Sequence, residues 1–117
     1  MELGVSEGEA GFLRIYNAQG HELLTAGQVE DDTGALSLYN GQGRLLIKMG
    51  ANDAGNGFLT TFNKTGEVLV KLGSREGKGF VMICDEKGKL QLVAGNDDGQ
   101  PRILFFNNEE EIAHRLP

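Results

Sequence analysis

The residues with the most evident chemical potential are oxygen-bearing side chains in the short segments between apolar runs. They are Glu30, Asp31, Asp32, Asn52, Asp53, Glu76, Asn96, Asp97 and Asp98. Carboxylate and amide oxygens are the ligands that Ca²⁺ prefers, and the ion takes roughly six to eight of them. The segments lack the spacing of an EF-hand loop, however, and Asp, Asn and Gly are also good turn residues. The sequence therefore favours turns over a metal site, and no metal or other cofactor is expected.

His21 and His114 are the only histidines and the only candidates for a general base near neutral pH. His21 adjoins Glu22, but neighbours along a strand point to opposite faces of a sheet. Glu110 and Glu111 precede His114 at helical spacing, which would matter only in a helix, and one His with one Glu makes a poor metal site. The serines show no nucleophile-elbow context, and residues 95–99 lack the Gly-Lys-Ser/Thr ending of a P-loop. We therefore expect a protein that is not an enzyme.

Composition narrows the class of protein further. The 117 residues carry a net charge of −6, which argues against a nucleic-acid partner because phosphate binding needs clustered Lys and Arg. The single cysteine, Cys84, excludes an internal disulfide and is expected to be packed in a strand. No apolar run approaches the roughly 20 residues of a membrane span, and no signal peptide is visible. Membrane insertion is not expected, and these features leave the localisation unknown.

The elements that position these residues follow from residues 57–73, which predict a β-hairpin. Two runs rich in apolar and β-branched residues, 58–62 and 68–72, flank Asn63-Lys64-Thr65-Gly66. Asn favours the first position of a type I turn, and Gly66 supplies the positive φ that closes a three-residue hairpin loop.

The hairpin recurs along the whole chain. The copies cover residues 11–27, 34–50, 57–73, 79–95 and 101–117, while residues 1–10 resemble the end of a preceding copy. Repeats of 22–23 residues lie within the range of known repeat architectures. The chain is therefore predicted to be a single all-β repeat domain, built as an antiparallel meander of hairpins. A parallel β-solenoid with a ladder of turn asparagines, or a closed barrel, is the alternative.

The loop length predicts which side chains share a face. If Asn63 pairs with Glu67, alternation places Phe58, Thr60, Phe62, Val68, Val70 and Leu72 on one face. The other face then carries Leu59, Thr61, Leu69 and Lys71. The remaining copies give the same division, so both faces are expected to be largely apolar and to need cover.

One small chain can cover one face by folding on itself, and the other face then needs a partner. We expect a closed homo-oligomer, most simply a trimeric β-prism or fibre-like shaft. The expected interface residues are the aromatic ones: Phe12, Tyr16, Tyr39, Phe58, Phe62, Phe80 and Phe106. The second hypothesis is a β domain that binds a carbohydrate or another small molecule in a concave site.

The motif Gly-x-Leu-x-x-Tyr/Phe-Asn-x-x-Gly is clearest in residues 34–50 and 57–73. It resembles the glycine-punctuated β repeats of uncharacterised bacterial surface proteins and of phage tail-fibre-like proteins, over nearly the whole chain. That resemblance implies a non-enzymatic trimeric shaft or spacer with a possible surface or glycan partner. Residues 39–45 also resemble the YD hairpin repeat of secreted Rhs-type proteins, although Asn or Asp85 replaces most of its aspartates and only Arg44 matches its arginine.

Overall fold

The computed structural model describes residues 1–8, 10–29, 33–97 and 99–116. These residues form one sheet of eleven strands, in which every neighbouring pair is antiparallel and the spatial order is the order of the sequence. The strands are β1 (Glu2–Val5), β2 (Gly11–Tyr16), β3 (Glu22–Gln28), β4 (Gly34–Tyr39), β5 (Leu45–Ala51), β6 (Gly57–Phe62), β7 (Val68–Arg75), β8 (Lys78–Cys84), β9 (Leu90–Asp97), β10 (Gln100–Phe106) and β11 (Ile112–Leu116).

The predicted all-β meander is confirmed. The parallel solenoid is wrong because each strand pairs antiparallel with the next one along the chain. The closed barrel is also wrong, since β1 and β11 are the two edges of an open sheet. Within the described ranges there is no helix that could cross a membrane.

The turns between paired strands have the predicted chemistry. In the third hairpin the Asn63 amide donates to the Glu67 carbonyl at 2.9 Å, as the predicted pairing requires. The Gly66 amide donates to the Asn63 carbonyl at 3.1 Å, and Gly66 has a φ of 93°. The Asn63 Oδ1 also accepts from the amides of Thr65 and Glu67. The fifth hairpin keeps this turn with Glu110 at a φ of 61°, a conformation that a residue with a Cβ adopts at some cost.

The predicted assignment of side chains to faces is wrong for the second strand of each hairpin. Phe62 pairs with Val68 but Thr61 pairs with Val70, so one extra residue, Leu69, is inserted on the β7 side. The same shift occurs at the corresponding place in the other four repeat hairpins, β2–β3, β4–β5, β8–β9 and β10–β11. The Asn52 turn between β5 and β6 has no such shift. Val70 therefore shares a face with Thr61, and Lys71 moves to the opposite face with Thr60.

The sheet is a single layer. Its principal dimensions are 49 × 29 × 15 Å, and substantial strand contacts join only sequence neighbours. Among the described residues, only Thr60 and Cys84 are buried. A domain normally packs at least two layers around a core, so this sheet by itself leaves its apolar side chains without a second layer.

Candidate functional site

One face of the sheet is apolar from edge to edge. We define the apolar face by two rows of directly paired residues that run across the strands. The first row is Leu3, Leu13, Ala26, Leu36, Met49, Leu59, Leu72, Val81, Ala94, Ile103 and Leu116. The second row is Ile15, Leu24, Leu38, Ile47, Thr61, Val70, Ile83, Leu92, Phe105 and His114. Neither row contains Asp, Glu, Lys or Arg.

The apolar face is open to solvent in the single chain. Leu3 is 71% exposed, Leu72 42% and Leu116 40%, although each is a large aliphatic residue in a strand. Monomeric soluble proteins rarely expose continuous apolar patches of more than a few hundred Å². A surface that spans all eleven strands is therefore the strongest candidate for an interface in the molecule.

The opposite face, which we call the mixed face, has a row of phenylalanines and small residues. Phe12 lies opposite Gly4 and Gly27, and Phe80 lies opposite Gly73 and Gly95. A Cβ on Gly95 would lie 3.0 Å from the Gly79 carbonyl oxygen and 3.0 Å from the Phe80 Cβ. Glycine is needed there because no space remains for a side chain beside the phenylalanine.

A second row of the mixed face runs along the middle of the strands and is largely polar. It consists of Glu2, Arg14, Thr25, Ser37, Lys48, Thr60, Lys71, Met82, Val93, Leu104 and Arg115. From β2 to β7 this row holds only cationic and hydroxyl-bearing side chains. Arg14 is stacked over Phe12, with its guanidinium carbon 4.8 Å from the ring centroid.

The seven aromatic residues predicted as an interface all belong to the mixed face, in two rows on either side of its polar row. They are Phe12, Tyr16, Tyr39, Phe58, Phe62, Phe80 and Phe106, and each is half-buried by its neighbours in the sheet. Their contact with a partner stays a prediction. The apolar face, which the sequence-based register did not isolate, is the better candidate for self-association.

The candidate metal ligands and bases do not form a site in the part of the chain that is described. No group of three or more His, Cys, Asp or Glu residues lies close enough to hold a metal ion among those residues. Four members of the acidic set, Glu30, Asp31, Asp32 and Asp98, lie outside them. Asn52 instead organises its own turn, accepting with Oδ1 from the amides of Ala54 and Asn56.

The two histidines have separate structural surroundings. His21 Nδ1 lies 2.9 Å from the Gly41 carbonyl oxygen of the next turn. His114 packs against Phe105 on the apolar face, with the ring centroids 5.9 Å apart. His21 follows the Asn17 turn between β2 and β3, whereas His114 lies in β11, so the two histidines do not form a common site.

Cys84 is buried at the end of β8, opposite Leu90, which confirms the prediction of a packed thiol. Burial raises the pKa of this thiol, and the nearby carboxylates of Asp85 and Glu110 add to the effect. A raised pKa reduces the thiolate fraction near neutral pH, so the residue has the character of a structural cysteine.

Hydrogen bonds connect successive turns at one end of the strands. Asn17 Nδ2 donates to the Gly41 carbonyl at 3.0 Å, and Asn63 Nδ2 donates to the Glu86 carbonyl at 2.8 Å. Arg44 and Lys89 make the equivalent bonds to the carbonyls of Lys64 and Asn108. These bonds hold successive hairpins in a fixed register, which keeps each row of the two faces continuous.

The sequence does contain a signal for the register shift. Two apolar residues follow each other at the same place after the turn in Leu23-Leu24, Leu46-Ile47 and Leu69-Val70. Strict alternation would place one of each pair on the polar side, so a repeated pair at the same place indicates an extra residue.

No protein-family model matches this chain, and no curated protein is significantly similar to it.

Proposed function

We propose that this protein is a non-enzymatic module that self-associates through its apolar face into a homotrimer and serves as a shaft or spacer. The observation that carries the proposal is the continuous apolar face on a sheet with no second layer. The occupant of that face is a further copy of the same chain, since every copy has the same surface to cover.

The size of the face supports a stable assembly. The sheet measures 49 by 29 Å, a projected area of about 1,400 Å² per chain, whereas a standard interface buries about 800 Å² per partner. The absence of charged residues from both apolar rows means that burial leaves no ion unpaired. Covering this face would also provide the hydrophobic core that the single chain lacks.

Strand length supports three copies. Strands of six to eight residues, which predominate here, are about 20–26 Å long, so three sheets arranged as a triangular prism would each lie about 6–8 Å from the axis. Two packed sheets normally lie about 10 Å apart, or about 5 Å each from their midplane. Leu, Ile and Phe side chains can therefore fill the interior of such a prism.

Small residues at one margin of the apolar face support the same arrangement. Next to the first apolar row, towards the connectors between hairpins, six of the ten strand positions are small: Gly11, Gly34, Ala51, Gly57, Ser74 and Gly79. The other four are Val5, Gln28, Asn96 and Pro101. In a triangular prism the margins of adjacent sheets converge at the corners, where short side chains permit close approach. Two sheets stacked face to face would leave these positions poorly filled.

Light scattering after size exclusion, across a dilution series, tests the proposal. The 12.6 kDa chain is expected to elute with a mass of about 38 kDa. A dimer would overturn the three-sided prism, and a monomer at micromolar concentration would overturn self-association.

Leu38→Lys and Ser37→Lys form a matched pair for the same experiment, because these neighbours in β4 lie on opposite faces. Lysine at position 38 would place a charge in the apolar interface, so we expect its trimer to dissociate about 100-fold more readily, equivalent to about 2.7 kcal/mol. Ser37→Lys should keep the mass of the unmodified chain. Equal dissociation of both variants would contradict the assignment of the interface to the apolar face.

A further inference from the structure

The mixed face carries a track of polar side chains between β2 and β7. Its members are Arg14, Thr25, Ser37, Lys48, Thr60 and Lys71, which are paired in succession across six strands. Arg14 and Lys48 are exposed, and Lys71 is half-buried. The track is thus a line of cations separated by hydroxyl groups, about 24 Å long at the usual spacing of strands.

Aromatic side chains border this track on both sides. Phe12 and Phe58 stand on the side of the connectors, two residues from Arg14 and Thr60 along their strands. Tyr16, Tyr39 and Phe62 stand on the side of the turns, two residues beyond the track on β2, β4 and β6. Binding sites for small molecules and sugars commonly combine apolar walls with a few polar groups in this way.

The part of the track on β2–β5, from Arg14 to Lys48, is concave, whereas Thr60 and Lys71 lie outside the hollows. Two adjoining hollows of about 740 and 340 Å³ share Lys48 in their walls. The larger is lined by Phe58 and Asn52, and the smaller by Arg14, Thr25, Ser37 and Tyr39. The hollows also reach two carboxylate residues, Asp53 in a connector and Glu22 beside the first turn.

The positively charged side chains of the strands lie on one face, and this distribution favours an anionic partner. All seven Lys and Arg residues located in strands belong to the mixed face: Arg14, Lys48, Lys71, Arg75, Lys78, Arg102 and Arg115. Among the described residues, most Asp and Glu lie in the turns and connectors at the two ends of the strands, although Glu2 and Glu22 also belong to the mixed face. The mixed face therefore offers a local positive potential on a chain whose net charge is −6.

We propose that the track binds an acidic polysaccharide in which carboxylated and neutral sugars alternate. This rests on the proposed function, because the mixed face is directed to solvent when the apolar face is covered by other copies. Lys and Arg would pair with the carboxylates, Thr and Ser would hydrogen-bond to sugar hydroxyls, and the bordering rings would contact the apolar faces of the sugars.

The spacing of the cations favours a polysaccharide over a nucleic acid. Arg14 and Lys48 are three strands apart and Lys48 and Lys71 two, which correspond to about 14 and 10 Å. Each strand of a nucleic acid carries a phosphate about every 3.4 Å. Most of its charges would find no cation here.

Titration calorimetry with a hyaluronan octasaccharide, in which every second sugar carries a carboxylate, tests the proposal. Lys48→Gln/Lys71→Gln should raise the Kd on the order of 10-fold or more, equivalent to about 1.4 kcal/mol. The matched control is Lys64→Gln/Lys87→Gln, which removes the same charge from two turns and should leave the Kd unchanged. Binding should also weaken as salt is raised, because the interaction is electrostatic and exposed.

No binding, an equal loss in both double variants, equal binding of a carboxyl-reduced octasaccharide, or tighter binding of single-stranded DNA of similar length would overturn the proposal. Mass is measured on the same samples by light scattering. A trimer that does not bind would refute the polysaccharide site alone. A monomer whose binding depends on Lys48 and Lys71 would refute the trimer alone.

Discussion

The apolar face and the mixed face are built from the same strands, yet they differ in almost every chemical property. Ser37 and Leu38 are neighbours in β4, but one belongs to a row of cations and hydroxyls and the other to a row without a charged residue. The difference depends on the single extra residue in each hairpin. With the loop alone, Lys71 would share a face with Leu59; the extra Leu69 moves it beside Thr60.

The comparison shows that the two faces differ because of the strand register. The composition of the strands alone would not separate them. A strand alternates its side chains with a period of two, so one inserted residue exchanges the faces beyond it. Repeating the insertion in five successive hairpins keeps one face apolar and collects the strand lysines and arginines on the other. The largest consequences are expected where the two faces pack most differently.

The packing of glycines should give the largest contrast. Gly95→Ala on the mixed face would press a Cβ against the Gly79 carbonyl oxygen and Phe80, so we expect a loss of about 1–2 kcal/mol in unfolding free energy. Gly41→Ala, in the turn that follows β4, meets nothing within 4 Å and should be neutral or slightly stabilising. Urea unfolding of both variants measures the difference, and an equal loss would contradict the close packing described for the mixed face.

The adjacent threonines in β6 provide a second comparison of the two faces, with a smaller expected change in free energy. Thr61 is the one hydroxyl residue in the two rows of the apolar face, whereas Thr60 belongs to the mixed face. Thr61→Val removes a polar group from the proposed interface and should stabilise the trimer by about 1 kcal/mol per chain. Thr60→Val should leave dissociation on dilution unchanged. A shift caused by Thr60→Val and not by Thr61→Val would reverse the assignment of the faces.

The smallest expected effect concerns a turn at the end of the strands, which belongs to neither face. Asp85 replaces the usual turn asparagine, and hydrogen bonds from the amides of Lys89 and Lys87 hold its pKa below the ordinary value. A lowered pKa in the folded state contributes stability above the unfolded pKa of about 3.9, and that stability is lost as the pH falls through the folded pKa.

Asp85→Asn keeps an oxygen acceptor for both amides but does not titrate. The variant should therefore have nearly the same unfolding free energy as the unmodified chain near pH 6 and a higher one near pH 3. These two pH values lie above and below the ordinary aspartate pKa of about 3.9. Urea midpoints at the two pH values provide the comparison. A constant difference between the proteins would show that Asp85 does not contribute to acid sensitivity.

The sequence predicts the strands and turns well because their causes are local. Asn at the first turn position and glycine at a positive φ determine the loop, and both are visible in the third hairpin at Asn63 and Gly66. The faces could not be predicted from the loop, since the extra residue arises from pairing between strands. Leu23-Leu24 carries the only local trace of that shift in the first hairpin.

The sequence alone directed attention to the aromatic residues of the repeat and did not isolate the apolar face. Phe58 and Phe62 are prominent in the sequence, but in the sheet they lie on the mixed face, opposite Gly50 and Val68. Leu59 gains its significance only from its alignment with Met49 and Leu72 on neighbouring strands. Such a row is a property of the register across the whole sheet, which no single repeat displays.

The central claim, that copies of this chain bury the apolar face, is tested most directly by nitroxide labels on neighbouring residues of β4. Leu38→Cys and Ser37→Cys are prepared in a Cys84→Ser background, so each chain carries one label. At position 38 the label should be immobilised and dipolar-coupled to labels on the other copies, while at position 37 it should be mobile and uncoupled. A mobile, uncoupled label at position 38, or coupling at position 37 instead, would contradict the claim.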